Sequence, residues 1–357
     1  MKTAIIGLPM VGKTSLFTIL TGVHESSRMG AMEVRVGVAK VPDARLDALA
    51  GVFHPEKLTH ATIEFLDVPS ISKESLREAS YLASLRFADA FAHVLRVFES
   101  DTVPHEKGTV DPMRDLDDVE AELILSDLVQ VEKRLERLEK DRKKIKDPKL
   151  DKEFEVLTRF KAALENNQPL REVETEPEEE KLIRGFMFLS QKPVLYVLNV
   201  GEEDAPRLAE LEKEYAGRIL PGRKHAGVTA VCGKVEAELT EMDPEDAKDF
   251  METYGLTDSG LERMVSASYR LLGRMSFLTA GEPEVRAWTI PVNCKAVHAA
   301  GEIHSDLEKK FIRAEVANWK DLVDHGGWSG LRGTALMRLE GKEYIVQDGD
   351  VLMIRHG

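Results

Sequence analysis

Cysteine is scarce: 357 residues hold two, Cys232 and Cys294, far apart in the chain. That excludes a disulfide framework and any zinc-ligand spacing, and it fits a reducing compartment. Long apolar runs are missing too, since no segment reaches the ~18 uninterrupted apolar residues of a membrane helix. The opening TAIIGLPMVG is broken by two glycines and a proline, leads into Lys13 and has no small-residue cleavage site, so it does not read as a signal peptide. A soluble, cytoplasmic chain with no membrane contact is the expectation. Positive charge is in short supply, with 49 Lys and Arg against 63 Asp and Glu and a net charge of -14. A generally basic nucleic-acid-binding surface is thereby disfavoured, because neutralising phosphates takes clustered Lys and Arg.

What is present is globular. Hydrophobic residues make up 43% and charged residues 31%, and the length suits two or three domains. Apolar runs alternate with helix-like stretches, the pattern of a parallel sheet with crossover helices. Strands are predicted at Thr3 to Leu8, Thr62 to Val68, Ala90 to Phe98, Pro193 to Val200 and Gly227 to Cys232. Between about Asp115 and Glu165 there is no glycine and one proline. There Leu128, Val131, Leu135 and Leu138 form a coiled-coil seam, continued by Leu150, Phe154, Leu157, Phe160 and Leu164 after a turn at Asp147-Pro148. The expectation is an inserted antiparallel helical hairpin. The stretch from Lys133 to Lys149 carries nine basic against four acidic residues, so the hairpin would present a basic tip near Lys146 to Lys149. A solvated helix face laced with ion pairs is the plain reading of those charges.

Capping boxes are predicted at Thr175 with Glu178 and at Ser305 with Glu308, each opening a helix. From about Glu284 short strands and turns take over, ending in a hairpin-like pair around Asp348-Gly349-Asp350.

The chemistry concentrates at the N-terminus. Gly7-Leu8-Pro9-Met10-Val11-Gly12-Lys13-Thr14 matches G-x-x-x-x-G-K-[ST], follows an apolar strand and opens a helix-compatible stretch from Ser15. The two glycines let the loop wrap closely, so its backbone N–H groups face phosphates, Lys13 reaches the β- and γ-phosphates, and the Thr14 hydroxyl ligates Mg²⁺. Gly7, Met10, Val11, Gly12, Lys13, Thr14 and Ser15 are the expected nucleotide-binding residues. Asp67 ends the strand TIEFLD, where such proteins keep the carboxylate that supports the metal; a strand-capping turn residue is the alternative. Asn199 ends PVLYVLN and is followed by Val200-Gly201-Glu202. GTPases use Asn-Lys-x-Asp here, so Val200 and Glu202 weaken the case for guanine, and alone Asn-x-x-Glu also fits a plain strand-end turn.

The order P-loop, VPDARLDAL (Val41 to Leu49), ATIEFLDVP (Ala61 to Pro69), HVLRVFESD (His93 to Asp101), helical insertion, LNVGE and RAWTIP resembles the Obg-like ATPases, the YchF-type branch of the translation-factor-class P-loop NTPases. The likeness covers essentially the whole chain, including FLTAGEPEVRAWTIP and AAGEIHSDLEKKFIRAEV. It implies an α/β fold: a P-loop NTPase domain with a mostly parallel sheet at 1–114 and 181–282, the helical insertion at 115–180, and a C-terminal TGS domain of β-grasp type at 283–357. It further implies ATP with Mg²⁺ as ligands, with GTP less favoured, and a base site in which Val231, Cys232 and Gly233 close over the ring beside Asn199, Val200 and Glu202. His105, in TVPHEKG, matches a histidine proposed to assist hydrolysis alongside Lys13; without the family it is simply a loop histidine. A monomer is expected, docking on the ribosome or ribosomal RNA through the helical tip and the TGS domain.

Three positions depart from the family pattern. Met10 replaces an asparagine of the P-loop. Ala31 stands where switch I carries a Mg²⁺-ligating threonine, and Ser26 or Ser27 could substitute only after a shift of register. Ser70 replaces the glycine of Asp-x-x-Gly in switch II, before a run, SKESLREASYL, that reads as helical. Two functions follow: slow ATP hydrolysis, or a non-hydrolysing nucleotide-binding module that docks on a ribosome or protein partner.

Overall fold

The computed structural model describes residues 1–23, 34–72, 74–254, 256 and 258–357. Ala31, Ser26 and Ser27 lie outside the described residues. In chain order the elements are β1 (Lys2–Ile6), α1 (Lys13–Thr21), β2 (Arg35–Lys40), α2 (Ala44–Phe53), β3 (Lys57–Thr59), β4 (Thr62–Asp67), α3 (Ala79–Phe87), β5 (Ala90–Arg96), α4 (Pro112–Arg142), α5 (Pro148–Glu165), α6 (Pro177–Ile183), β6 (Val194–Asn199), α7 (Leu208–Ile219), β7 (Ala226–Val231) and α8 (Gly233–Glu241). After a helix at Gly260–Leu271 come β8 (Arg274–Ala280), β9 (Glu284–Pro291), β10 (Phe311–Asn318), β11 (Arg338–Glu340) and β12 (Asp350–His356). They fall into two units, Met1–Ala39 with Glu64–Leu271, and Lys40–Ile63 with Leu272–Gly357.

The first unit is built on a sheet of order β2-β4-β1-β5-β6-β7. β1 pairs parallel with β4 and β5, β5 with β6, and β6 with β7. The five predicted strands are present, with ends shifted by at most two residues. β5 and β6 are buried at every position, as continuous apolar runs in a parallel sheet covered on both faces must be. β1 sits where the strand order reverses, and the crevice outside the carboxyl ends of such strands is where open α/β sheets bind ligands.

The hairpin is formed by α4 and α5. Asp111 caps α4, its carboxylate accepting from the Met113 and Arg114 N–H groups with Pro112 in the first turn, and Asp147 caps α5 by accepting from Lys149 N–H at 2.9 Å. Of the predicted seam residues, Val131, Leu138, Leu157 and Phe160 are buried together, with Leu128, Leu150 and Phe154 packed against them. Lys143, Lys144 and Lys146 are exposed in the connecting turn. The following helix, α6, starts one residue later than the Thr175–Glu178 box predicted. Pro177 takes the first helical position, and Glu179 accepts from the Glu176 N–H at 3.0 Å.

The second unit has a mixed sheet of order β11-β10-β12-β8-β9-β3. Its core gathers Phe277, Ile290, Ala299, Phe311 and Val316. Three expectations change here. The C-terminal unit begins at Leu272, not at 283, and takes in Lys40–Ile63, because β3 pairs parallel with β9 through Lys57, Leu58 and Thr59. The Asp348-Gly349-Asp350 hairpin does not form. Gly349, at φ 84°, turns the chain, but β12 runs antiparallel to β10 and parallel to β8, while Ile345 makes only an isolated bridge to Lys295. Ser305 is the first helical residue and not the cap. His304 Nδ1 accepts from Asp306 N–H at 3.1 Å, and Glu308 instead meets His298 Nδ1 at 2.9 Å. No helix among the described residues is long and apolar enough to cross a membrane.

Candidate nucleotide site

The turn from β1 into α1 wraps around a concavity. Gly7 has φ 146°, and a Cβ there would stand 2.7 Å from the Val94 carbonyl oxygen; Gly12 has φ 98°, and its Cβ would overlap the Asn199 amide. Both positions therefore demand glycine for backbone reasons. Met10, also left-handed at φ 58°, points its side chain outward at 61% exposure, so its replacement of asparagine leaves the loop backbone in place.

Lys13, the first residue of α1, folds back over the loop. Its Nζ donates to the Leu8 carbonyl at 2.7 Å, the Gly7 carbonyl at 3.2 Å and Ser70 Oγ at 2.8 Å. Burial pulls its ammonium down to about 8, against the opposing attraction of Asp67 and Glu106. Ser70 is thus a direct partner of the P-loop lysine, a role that its reading as a lost glycine did not anticipate. The run after it is short 3₁₀ helix at Ser75–Arg77 and then α3, in line with the helical reading.

Thr14 Oγ1 donates to Asp67 Oδ2 at 3.1 Å, so the two expected metal-supporting residues meet. Asp67 Oδ1 is buried with no hydrogen-bond partner among the described residues. A hydroxyl and a free carboxylate oxygen fit a hydrated Mg²⁺. No group of three or more His, Cys, Asp or Glu among the described residues could hold a metal ion alone, and water or phosphate oxygens would complete the shell. Asp67 Oδ2 also receives Arg35 of β2, a buried ion pair that nothing in the sequence pattern announces.

Asn199 is a strut. Its Nδ2 donates to the Val11 carbonyl at 2.9 Å, and its Oδ1 accepts from the Gly233 N–H at 3.1 Å, tying the P-loop to the start of α8. Asn199 also lines a cleft of about 920 Å³ that runs from Gly12, Thr14 and Ser15 past Val200 and Glu202 to Gly233, within the size range of ligand sites. Val200, Val231 and Cys232 are buried. Burial also raises the Cys232 thiol above its ordinary range, leaving it neutral. Glu202 pairs with Lys234, which lowers its carboxyl, and its other oxygen lies 3.5 Å from the Tyr254 hydroxyl. A second cavity of about 610 Å³ beside Leu82, Leu125 and Val129 is largely apolar and lies away from the P-loop.

His105 is engaged at both ring nitrogens. Its Nδ1 accepts from Lys107 N–H at 3.1 Å, which leaves Nε2 to donate to Asp115 Oδ2 at 2.8 Å, and its side chain is 3% exposed. The loop before it is pinned by buried Arg96, whose guanidinium donates to the carbonyls of Phe98 and Val103 at 3.0 and 2.7 Å.

Comparison with known proteins agrees with this geometry. Residues 2–134 match the 50S ribosome-binding GTPase family, and residues 274–357 match the YchF-GTPase C-terminal family, described as a protein of unknown function. The chain is 40% identical over 362 residues to the ribosome-binding ATPase YchF of Bacillus subtilis (strain 168), covering 99% of both chains. It is 39% identical to the ribosome-binding ATPase YchF of Haemophilus ducreyi, over 99% of this chain and 98% of that one. The structure of the Schizosaccharomyces pombe YchF GTPase superposes with a TM-score of 0.84 at 28% identity, over 99% of this chain and 97% of the other. A P-loop nucleotide site in this fold, with likeness running from end to end, means that the chain belongs to the YchF family.

Proposed function

We propose that this protein binds ATP at the P-loop and hydrolyses it slowly, in association with the ribosome. The observation that carries the reading is the cluster at Gly7, Gly12, Lys13, Thr14 and Asp67, a loop whose two glycines cannot bear a side chain and whose lysine and hydroxyl face one carboxylate. A triphosphate entering the cleft would draw Lys13 Nζ off the Leu8 and Gly7 carbonyls, replacing neutral acceptors by charged ones. Mg²⁺, held by Thr14 and Asp67, would offset charge on the transferring phosphoryl group. Val200 and Glu202 stand where GTPases keep the lysine and aspartate that read guanine, which supports adenine over guanine. The names of the Bacillus and Haemophilus relatives support the ribosome as partner, and a cytoplasmic monomer fits that role.

The second reading, retention of nucleotide without turnover, is favoured by His105. Both of its ring nitrogens are engaged, so it can orient water only if its loop leaves Asp115. Phosphate release from ATP with Mg²⁺, compared between the wild type and Lys13→Ala, separates the two. The wild type is expected to turn over and Lys13→Ala to fall to background; equal rates would sink the ATPase, and binding without turnover would favour the module.

A further inference from the structure

Arg35 is in the last place a P-loop protein needs another cation. From β2 its Nη2 donates to Asp67 Oδ2, the oxygen that also accepts the Thr14 hydroxyl. The two side chains are 8% and 6% exposed. The guanidinium is braced on its other side by Phe17 of α1, whose ring centroid lies 5.2 Å from Cζ. A fixed positive charge is therefore built into the junction of the P-loop hydroxyl and the β4 carboxylate. Removing either partner would leave a buried charge uncompensated, so the arrangement is strongly held.

Its hydrogen bonding is incomplete. Arg35 Nη1 is buried with no acceptor among the described residues. A buried guanidinium N–H without a partner costs free energy until an acceptor arrives. Phosphate oxygens are among the best acceptors for a guanidinium, whose flat fork matches their geometry. Lys13, which donates to Ser70 Oγ and is attracted by Asp67, is a second cation beside the same carboxylate. A divalent ion at Asp67 Oδ1 would share its carboxylate with the guanidinium on Oδ2.

We infer that Arg35 supplies from within the chain part of the charge that Mg²⁺ supplies in other P-loop sites, so that triphosphate binding here depends little on divalent metal. The inference rests on the P-loop being the nucleotide site. It adds that Arg35 sets the metal dependence of binding, whatever the metal contributes to hydrolysis.

Calorimetric titration with ATP, once in excess Mg²⁺ and once in EDTA, reads this directly on the wild type, Arg35→Gln and Arg35→Lys. Chelation is expected to weaken wild-type binding by less than about threefold, to weaken Arg35→Gln by about tenfold or more, and to leave Arg35→Lys, which keeps the charge, with the wild type. A wild-type loss of about threefold or more on chelation overturns the inference without recourse to any variant, so a poorly folded Arg35→Gln cannot shelter it. An Arg35→Gln that folds, as judged by its thermal melt, and keeps the wild type's small metal dependence overturns it too. Absence of binding in both conditions would instead defeat the nucleotide reading itself.

Discussion

At the scale of single residues, Lys13 is the side chain with the most to say. Burial leaves its ammonium at about 8 in the folded chain, whereas in the unfolded chain it holds its proton to 10.5. The folded value is the lower one, so between those two pH values the unfolded state binds more protons and the protein by itself gains stability as pH rises. Nucleotide binding runs the other way. A triphosphate holds the ammonium in its charged form, so above pH 8 binding takes up a proton and affinity falls by at most about tenfold per pH unit. ATP titrations from pH 7 to 9.5 should show that decline, and a flat profile would mean that Lys13 does not touch the phosphates. The lysine's role was readable in advance because the P-loop is contiguous and its glycines declare the backbone. Ser70 and Arg35 were not, since their partners stand 57 and 32 residues away. No local pattern records a meeting brought about by strand order.

At the scale of elements, the helical hairpin shows how far periodicity carries. Apolar positions at helical spacing and an Asp-Pro turn dictated two antiparallel helices, and six of the nine seam residues, Val131, Leu135, Leu138, Leu157, Phe160 and Leu164, are buried. Phe160 lies at its centre, fully buried, with its ring edge-on to Phe188 at 5.8 Å. Phe160→Ala is expected to cost about 3–5 kcal/mol, read by urea denaturation followed through helical circular dichroism, while nucleotide affinity changes little. A loss below 1 kcal/mol would mean that the hairpin core relaxes around the cavity. What periodicity did not reveal is how the hairpin is pinned at its base. Asp127, buried on α4, accepts from the N–H groups of Leu189 and Ser190 at 2.9 and 2.7 Å and from Ser190 Oγ at 2.7 Å. A lone aspartate on an apolar helix face carries no sequence mark of such partners. The capping boxes erred by one residue for a similar reason, because Glu176, with Pro177 in the first helical position, and His304 take the cap positions from the hydroxyl residues that the pattern nominates.

At the scale of the whole molecule, charge is the organising quantity. A chain of net charge -14 concentrates positive charge at one exposed turn, where Lys143, Lys144 and Lys146 stand together. If that tip meets ribosomal RNA, replacing the three lysines by glutamate should abolish co-sedimentation with ribosomes at low salt, and the wild-type interaction should weaken steeply as salt rises. Co-sedimentation unchanged by the triple substitution would remove the tip as the contact. By itself the sequence determined the P-loop, the parallel-strand segments, the hairpin and the family, because each depends on neighbours along the chain or on a pattern spread over its full length. Only the tertiary structure decided that Lys40–Ile63 belongs with the C-terminal unit, that Asn199 braces the P-loop, and that Arg35 occupies Asp67. Those are pairings across the fold. Hydrogen bonds and ion pairs are short-ranged, so which groups form them is set by where the strands lie beside one another, a property that no stretch of sequence carries alone.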